Sequence, residues 1–307
     1  MSGSDTVEVE GRRLKLSNLT KVLYPDDRFT KHDVITHYVA VSEALLPQLA
    51  GRPATRKRWP DGVAADRGAF FEKNVPQGTP SWVRSVELDS PGSTRARERV
   101  TYPVVDSLAV LVWLANLAAL ELHVPQWQVG PRGGVRQPDR LVIDLDPGPP
   151  AGLAECGEAA VLVRDRLAED GFTMVPVTSG SKGMQLYATV AGDQAADTVR
   201  RYVRDVAREL EAEHRRLIVS RMDKRLRGGK VFLDWSQNDS AKTTIAPYSL
   251  RGRARPWVAT PRTWDEVEDP GALEHVLATE LPERLDDLGD LVADVAAGAP
   301  AGPRVPT

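Results

Sequence analysis

A chain of 307 residues with 41% hydrophobic and 27% charged content can bury an ordinary globular core and is too apolar to be a disordered tail. Its single cysteine, Cys156, excludes a disulfide framework and fits a reducing compartment. The net charge of −3 hides a division: residues 265–294 carry eleven acids and one arginine, leaving +7 for the rest. Taking the chain in order, the first residues, MSGSDTVEVEGRR, lack the apolar stretch of a signal peptide. Residues 7–25 read as an extended entry. Thr30 can cap a helix to about Leu49, with Val34, Tyr38, Leu45 and Leu49 on one face. Segments 53–59 and 69–73 read as extended, followed by a buried helix at about 107–121. That run is too short to cross a bilayer and is interrupted by Asn116, so the expectation is a cytoplasmic protein with no membrane partner.

A regular series follows. A strand at 140–146 precedes a helix at about 152–169, with Gly171 just past its end. The strand TMVPVT leads through the turn SGSKG into the strand MQLYATV. A helix at about 193–213 and a strand at 230–235 complete β-α-β-β-α-β, the split βαβ or ferredoxin-like pattern shared by RNA-recognition folds. The fold class is α+β. The division reads as one catalytic domain over 1–295, with an N-terminal module (about 7–135), a catalytic module (about 136–260) and an acidic segment (265–294). The Ala/Gly/Pro-rich tail 296–307 reads as unstructured.

In this pattern the first and fourth strands are neighbours. Side chains at i and i+2 share a face, so Asp144 and Asp146 point together while Ile143 and Leu145 face the helices. Asp234 on the fourth strand can join them. Three clustered carboxylates repel unless cations offset them. Hard divalent ions such as Mg²⁺ suit oxygen ligands, and two ions suit phosphoryl transfer. The turn Ser179-Gly180-Ser181-Lys182-Gly183 offers amides and a lysine to phosphates without matching the Walker pattern; alone, it reads equally as a polar hairpin. The basic clusters at 52–59, 93–99, 215–230 and 251–256 fit a polyanion, although each alone is more simply a solvated face.

LVIDLDPG, TSGSKG, KVFLDWSQN and KTTIAPYSLRGR resemble the polymerase domain of bacterial ligase D, a branch of the archaeo-eukaryotic primase superfamily. LTKVLYP (19–25), GRPATRKRWPDGV (51–63), AFFEKN (69–74) and ELHVPQW (121–127) extend the resemblance, in order, over about residues 15–264. It implies a primase-polymerase fold and a nucleotidyltransferase that extends DNA primers and fills short gaps in end joining or gap repair. It further implies a preference for ribonucleotides and two Mn²⁺ or Mg²⁺ ions on Asp144, Asp146 and Asp234. Ser179, Gly180, Lys182 and Gln185 would meet the nucleotide, with Lys57, His123 and Arg251 as a cationic lid. Phe70 and Phe71 would stack template bases, with Arg58 and Lys73 on the DNA. Lys21 and Lys31 would grip a downstream 5′-phosphate, helped by the N-terminus of the helix that Thr30 begins. Arg225 and Arg227 would lie on a loop touching the primer end. Gln185 stands where the family usually has histidine. Ligase and nuclease motifs are absent from this sequence, so it reads as either a stand-alone relative or an excised domain, with end-joining or repair proteins recruited in trans or not needed; the resemblance implies a nucleoid-associated location. Two other readings are a haloacid-dehalogenase-like phosphatase, whose D-x-D-G resembles DLDPG, and a non-catalytic module bridging DNA ends.

Overall fold

The computed structural model describes residues 4–89, 99–269, 271 and 273–307. The basic run 93–98 lies outside them. The chain opens with a hairpin, β1 (Ser4–Val9) and β2 (Arg12–Ser17). Glu10 and Gly11 at its turn both have positive φ, the geometry whose twist matches the strands. A second short pair, β3 (Val22–Tyr24) and β4 (Phe29–Thr30), leads into α1 (Lys31–Ala40) and α2 (Ser42–Leu49). Thr30 caps α1 as expected, in a reciprocal box with Asp33. The single helix expected to Leu49 is two, because the chain breaks at Val41, where the Ser42 hydroxyl donates to the Val39 carbonyl (2.8 Å).

Four strands follow across the module: β5 (Thr55–Arg58), β6 (Phe70–Glu72), β7 (Ser85–Asp89) and β8 (Arg99–Pro103). The buried helix expected over 107–121 is shorter: α3 (Leu108–Asn116) gives way to β9 (Ala119–Val124). Ala118, at φ 58, turns the chain out of the helix. An apolar run buried on all sides does not distinguish helix from strand by period. A hairpin, β10 (Trp127–Val129) with β11 (Val135–Pro138), precedes the second module.

That module runs β12 (Arg140–Pro147), α4 (Leu153–Glu169), β13 (Val175–Thr178), β14 (Met184–Thr189), α5 (Ala196–Glu213), β15 (Ile218–Val219) and β16 (Val231–Asp234). The chain ends through β17 (Thr244–Ile245), β18 (Thr260–Pro261), α6 (Trp264–Glu268) and α7 (Leu281–Leu288). The large sheet has the order β15-β16-β12-β14-β13-β18. Its inner four strands carry the split βαβ arrangement read from the sequence, with β12 antiparallel to both neighbours. A second sheet has the order β17-β9-β5-β6.

Two cores hold these layers. Leu141, Ile143 and Leu145 pack beneath α4 and α5 with Val163, Leu167, Val203 and Val206. Val142, Val177 and Tyr187, on the opposite face of the same sheet, join a core shared with Leu120, Leu122 and α1–α3. That core is completed late in sequence by Tyr248, Leu281, Val292 and Val295. The tail at 296–307, read from composition as unstructured, is instead docked. Gly302 N–H donates to the Val190 carbonyl (3.3 Å), and Ala191 N–H to that of Pro303 (3.1 Å). The Gln194 amide exchanges two hydrogen bonds with the Val305 backbone, 2.9 and 2.8 Å. Composition missed this because backbone groups and one buried glutamine make the contact.

Candidate active site

The three acids converge. Asp144 pairs with Asp234 across β12 and β16, and Asp146 pairs with Phe232. One carboxylate oxygen from each of Asp144, Asp146 and Asp234 lies within 4.8 Å of the others. Burial, then the charges of Asp146 and Asp234, push the Asp144 carboxyl up to about 8. Asp146 is also raised by burial and by Asp234, against the opposing charges of Arg227, Lys182 and Arg251. Asp234 is held rigidly: its Oδ1 accepts from Ser236 N–H (3.0 Å) and from the Ser236 hydroxyl, and its Oδ2 from Gln237 Nε2 (2.9 Å). Lys242 donates in turn to the Ser236 hydroxyl. The donor set is all hard oxygen, and Arg227, Lys182 and Arg251 offset its repulsion only in part, since Asp144 and Asp146 both stay raised, so these residues fit divalent cations.

Gln185 sits opposite Asp144 on β14. It accepts from the Tyr187 hydroxyl through Oε1 (2.9 Å) and hydrogen-bonds Asp144, opposing the rise in its pKa. The glutamine therefore supplies a hydrogen bond where a histidine could supply charge. The turn before it closes tightly. Ser179 N–H donates to the Gly183 carbonyl (2.8 Å), while its hydroxyl accepts from Ser181 N–H and Gly183 N–H, 3.3 Å each. Among the described residues the Ser179 hydroxyl only accepts. Gly180 has φ +65, and a Cβ there would fall 2.7 Å from Arg251 Cγ and from the Val258 carbonyl oxygen. The absence of a side chain lets Arg251 lie against the turn.

A cavity of about 310 Å³ joins these parts, lined by His123, Asp144, Asp146, Ser179, Lys182, Gln185 and Arg251. Glu121, to which the sequence reading gave no role, is its organising anion. It is 1% exposed and lies two residues before His123 on the same face of β9. His123 Nε2 is 2.8 Å from it, Lys57 Nζ 3.2 Å and Arg251 Nε 3.7 Å. Gly252 N–H donates to it at 3.0 Å. Burial would raise the Glu121 pKa, but the His123 hydrogen bond and the charges of Arg251, His123 and Lys57 hold it well below the carboxylate range. Burial lowers the His123 pKa, with Glu121 opposing. The signal was present: a carboxylate in the apolar strand ALELHV raises the same question as the aspartates of β12.

The DNA-facing expectations divide. Phe70 and Phe71, 40% and 52% exposed on the edge strand β6, are free to stack and are not core. Lys73 lines a separate cavity with Tyr102 and Trp127. Arg58 is tied to Glu72 Oε1 (2.8 Å) and the Leu117 carbonyl (2.7 Å). Arg227 stacks 3.7 Å from the Phe232 ring centroid and approaches Asp146 at 3.8 Å. Arg225 is out in solvent beside Asp223. Lys21 is half-exposed and pairs with Asp61 at 3.0 Å. Lys31 is buried, donating to the Ser17 carbonyl (2.7 Å) and Asn116 Oδ1 (3.2 Å). Burial, then Lys21 and Arg58, push its pKa down to about 8. The expected anion site at the start of α1 is not open. The amides of Lys31, His32 and Asp33 already donate to Lys21, Leu19 and Thr30.

The residues thus present an acid trio and a cationic array across one cavity, a combination suited to a polyphosphate. The family model for the LigD primase-polymerase domain matches residues 30–292. The multifunctional non-homologous end joining protein LigD of Mycolicibacterium smegmatis is 44% identical over 297 residues, 96% of this chain and 38% of that protein. The bifunctional LigD of Bacillus subtilis is 32% identical over 83% of this chain and 40% of that protein. The chain therefore spans about two fifths of these curated relatives. The solved polymerase domain from Mycobacterium tuberculosis ligase D in complex with DNA matches with a TM-score of 0.87 at 45% identity, covering 94% of this chain and 99% of that one. Residues, sheet order and relatives agree, and the chain belongs to the LigD primase-polymerase domain family.

Proposed function

We propose that this chain is a divalent-metal-dependent nucleotidyltransferase that extends DNA primer ends and fills short gaps during end joining or gap repair. One observation carries the reading: Asp144, Asp146 and Asp234 meet within 4.8 Å, and the first two line a cavity with His123, Lys182 and Arg251. In the reaction the primer 3′-oxygen attacks the α-phosphorus, and the bond to the bridging oxygen breaks to release pyrophosphate. Two Mn²⁺ or Mg²⁺ ions, when bound to the three acids, supply activation of the 3′-hydroxyl and neutralisation of charge on the α-phosphate. Lys57, His123, Lys182 and Arg251 hold the triphosphate, with the Ser179 hydroxyl as a further donor. Gln237 and Ser236 fix the Asp234 carboxylate. Phe70 and Phe71 carry template bases, and Arg225 and Arg227 lie at the primer end. By family, ribonucleotides are preferred.

The phosphatase reading belongs to a doubly wound parallel sheet. Here β12 is antiparallel to both neighbours. A module that only bridges ends would gain affinity for DNA by losing the three acids. The test offers primer-template, Mn²⁺ and each ribo- or deoxynucleotide. The wild type extends the primer, and Asp144→Ala, Asp146→Ala or Asp234→Ala lowers the rate at least about 10²-fold while circular dichroism shows the fold retained. Full extension by any of the three variants would refute the acid site.

The downstream contact follows the geometry. The half-exposed Lys21, paired with Asp61, is the phosphate donor, and buried Lys31 acts through its field, because the α1 amides are occupied. Gapped DNA bearing a 5′-phosphate should bind more tightly than its 5′-hydroxyl counterpart, with a preference that weakens as salt rises. Lys21→Ala should abolish that preference in a fluorescence titration.

A further inference from the structure

Among the described residues Glu121 is the one carboxylate against which Lys57, His123 and Arg251 all close: Nζ at 3.2 Å, Nε2 at 2.8 Å and Nε at 3.7 Å. These partners come from different places. Lys57 stands opposite Glu121 in the β5–β9 register, His123 follows on the same strand, and Arg251 arrives with a segment more than a hundred residues later. The loop bearing Arg251 is itself fastened to the carboxylate through Gly252 N–H (3.0 Å). Trp59 closes against that loop, since a Cβ on Gly252 would sit 2.1 Å from the indole. Two permanent cations and an imidazole brought to one point without an anion would repel, and long flexible side chains would disperse. A single buried carboxylate removes both problems and still leaves the group net positive toward the cavity that His123 and Arg251 line.

We propose that Glu121 is a positioning residue for the nucleotide: it presets Lys57, His123 and Arg251 as one rigid triphosphate receiver before any nucleotide arrives. The proposal rests on the nucleotidyltransferase reading above. It assigns Glu121 no contact with substrate. Its removal therefore costs binding first, because cations that must be ordered on binding bind less tightly than cations already ordered.

The experiment begins with wild-type binding of a ribonucleoside triphosphate with Mn²⁺, by equilibrium titration. Steady-state extension is then compared for Glu121→Gln, Lys57→Ala and the double variant. Glu121→Gln should raise the nucleotide KM at least about tenfold while kcat moves less than about threefold. The double variant should be little worse than the poorer single one, since Lys57 acts through the array that Glu121 orders. An unmoved KM, additive losses, or equal falls in kcat and kcat/KM accompanied by a lowered melting temperature would each overturn the positioning role. If Glu121→Gln does not fold, the His123 ring decides in the wild type. A ¹⁵N–¹H correlation spectrum showing Nε2 protonated upholds the Glu121 contact, and a bare Nε2 overturns it. A wild type that binds no triphosphate overturns the functional reading and this proposal together. Wild-type binding with an unmoved KM in Glu121→Gln overturns this proposal alone.

Discussion

Gly183 shows how tightly one residue can set the site. A Cβ there would lie 1.9 Å from the Leu145 carbonyl oxygen, so the turn 179–183 can lead into β14 only because position 183 lacks a side chain. Gly183→Ala forces β14 away from β12 and moves both Lys182 and Gln185. We expect a loss of more than about 2 kcal/mol of stability, read as a lowered urea midpoint, together with weaker nucleotide binding. Single residues also mark the limits of the sequence reading. Asp144, Asp146 and Asp234 were legible because acids in apolar strands are anomalous and strand alternation fixes their face. Glu121 carries the same anomaly, but its meaning depends on Arg251 and Gly252, which local spacing does not bring near. Lys31 reads as an open phosphate ligand because nothing local shows that Ser17 and Asn116 close over it.

At the scale of elements, α6 is short but firmly anchored. Thr263 and Glu266 form its capping box, and Glu266 also binds Arg262 at 3.0 Å and Arg284 at 2.8 Å. Burial would raise the Glu266 pKa, but the Arg284 and Thr263 hydrogen bonds and both arginine charges outweigh it, lowering it from 4.5 to about 2. The fold thus favours the carboxylate. Its stabilisation is complete above pH 4.5 and is lost as pH falls toward 2. Glu266→Gln should cost about 2 kcal/mol at neutral pH and flatten that acid limb in urea titrations across pH 2–5. Elements of the second module were readable because strand alternation, helical period and Gly171 past the end of α4 agree. The segment 107–121 was not, since helix and strand there are equally buried. The tail was not, since its partners are backbone groups on another part of the chain.

For the whole molecule, the feature with the widest reach is the core that begins with Leu14 and ends with Val295. The C-terminal segment is stitched back onto the first module: Tyr248 donates to Asp290 (2.6 Å), Gln48 to the Val292 carbonyl (2.9 Å) and Ala297 N–H to that of Pro47 (3.0 Å). The core of the first module therefore lacks part of its wall until nearly three hundred residues have been made. The second core draws mostly on 141–233 and needs far less chain. On the ribosome, order of synthesis and order of folding should then be reversed, with the later module closing first and the earlier one waiting as a loose, chaperone-accessible precursor. Pulsed hydrogen exchange on refolding protein should show amides of β12, β14 and β16 protected before those of β5 and β9; simultaneous protection would contradict this order. Synthesis of this domain would then be all or nothing, since a polypeptide released before Tyr248 keeps Asp144, Asp146 and Asp234 yet lacks Arg251 and the last wall of its first core, and is matter for proteases rather than a working fragment.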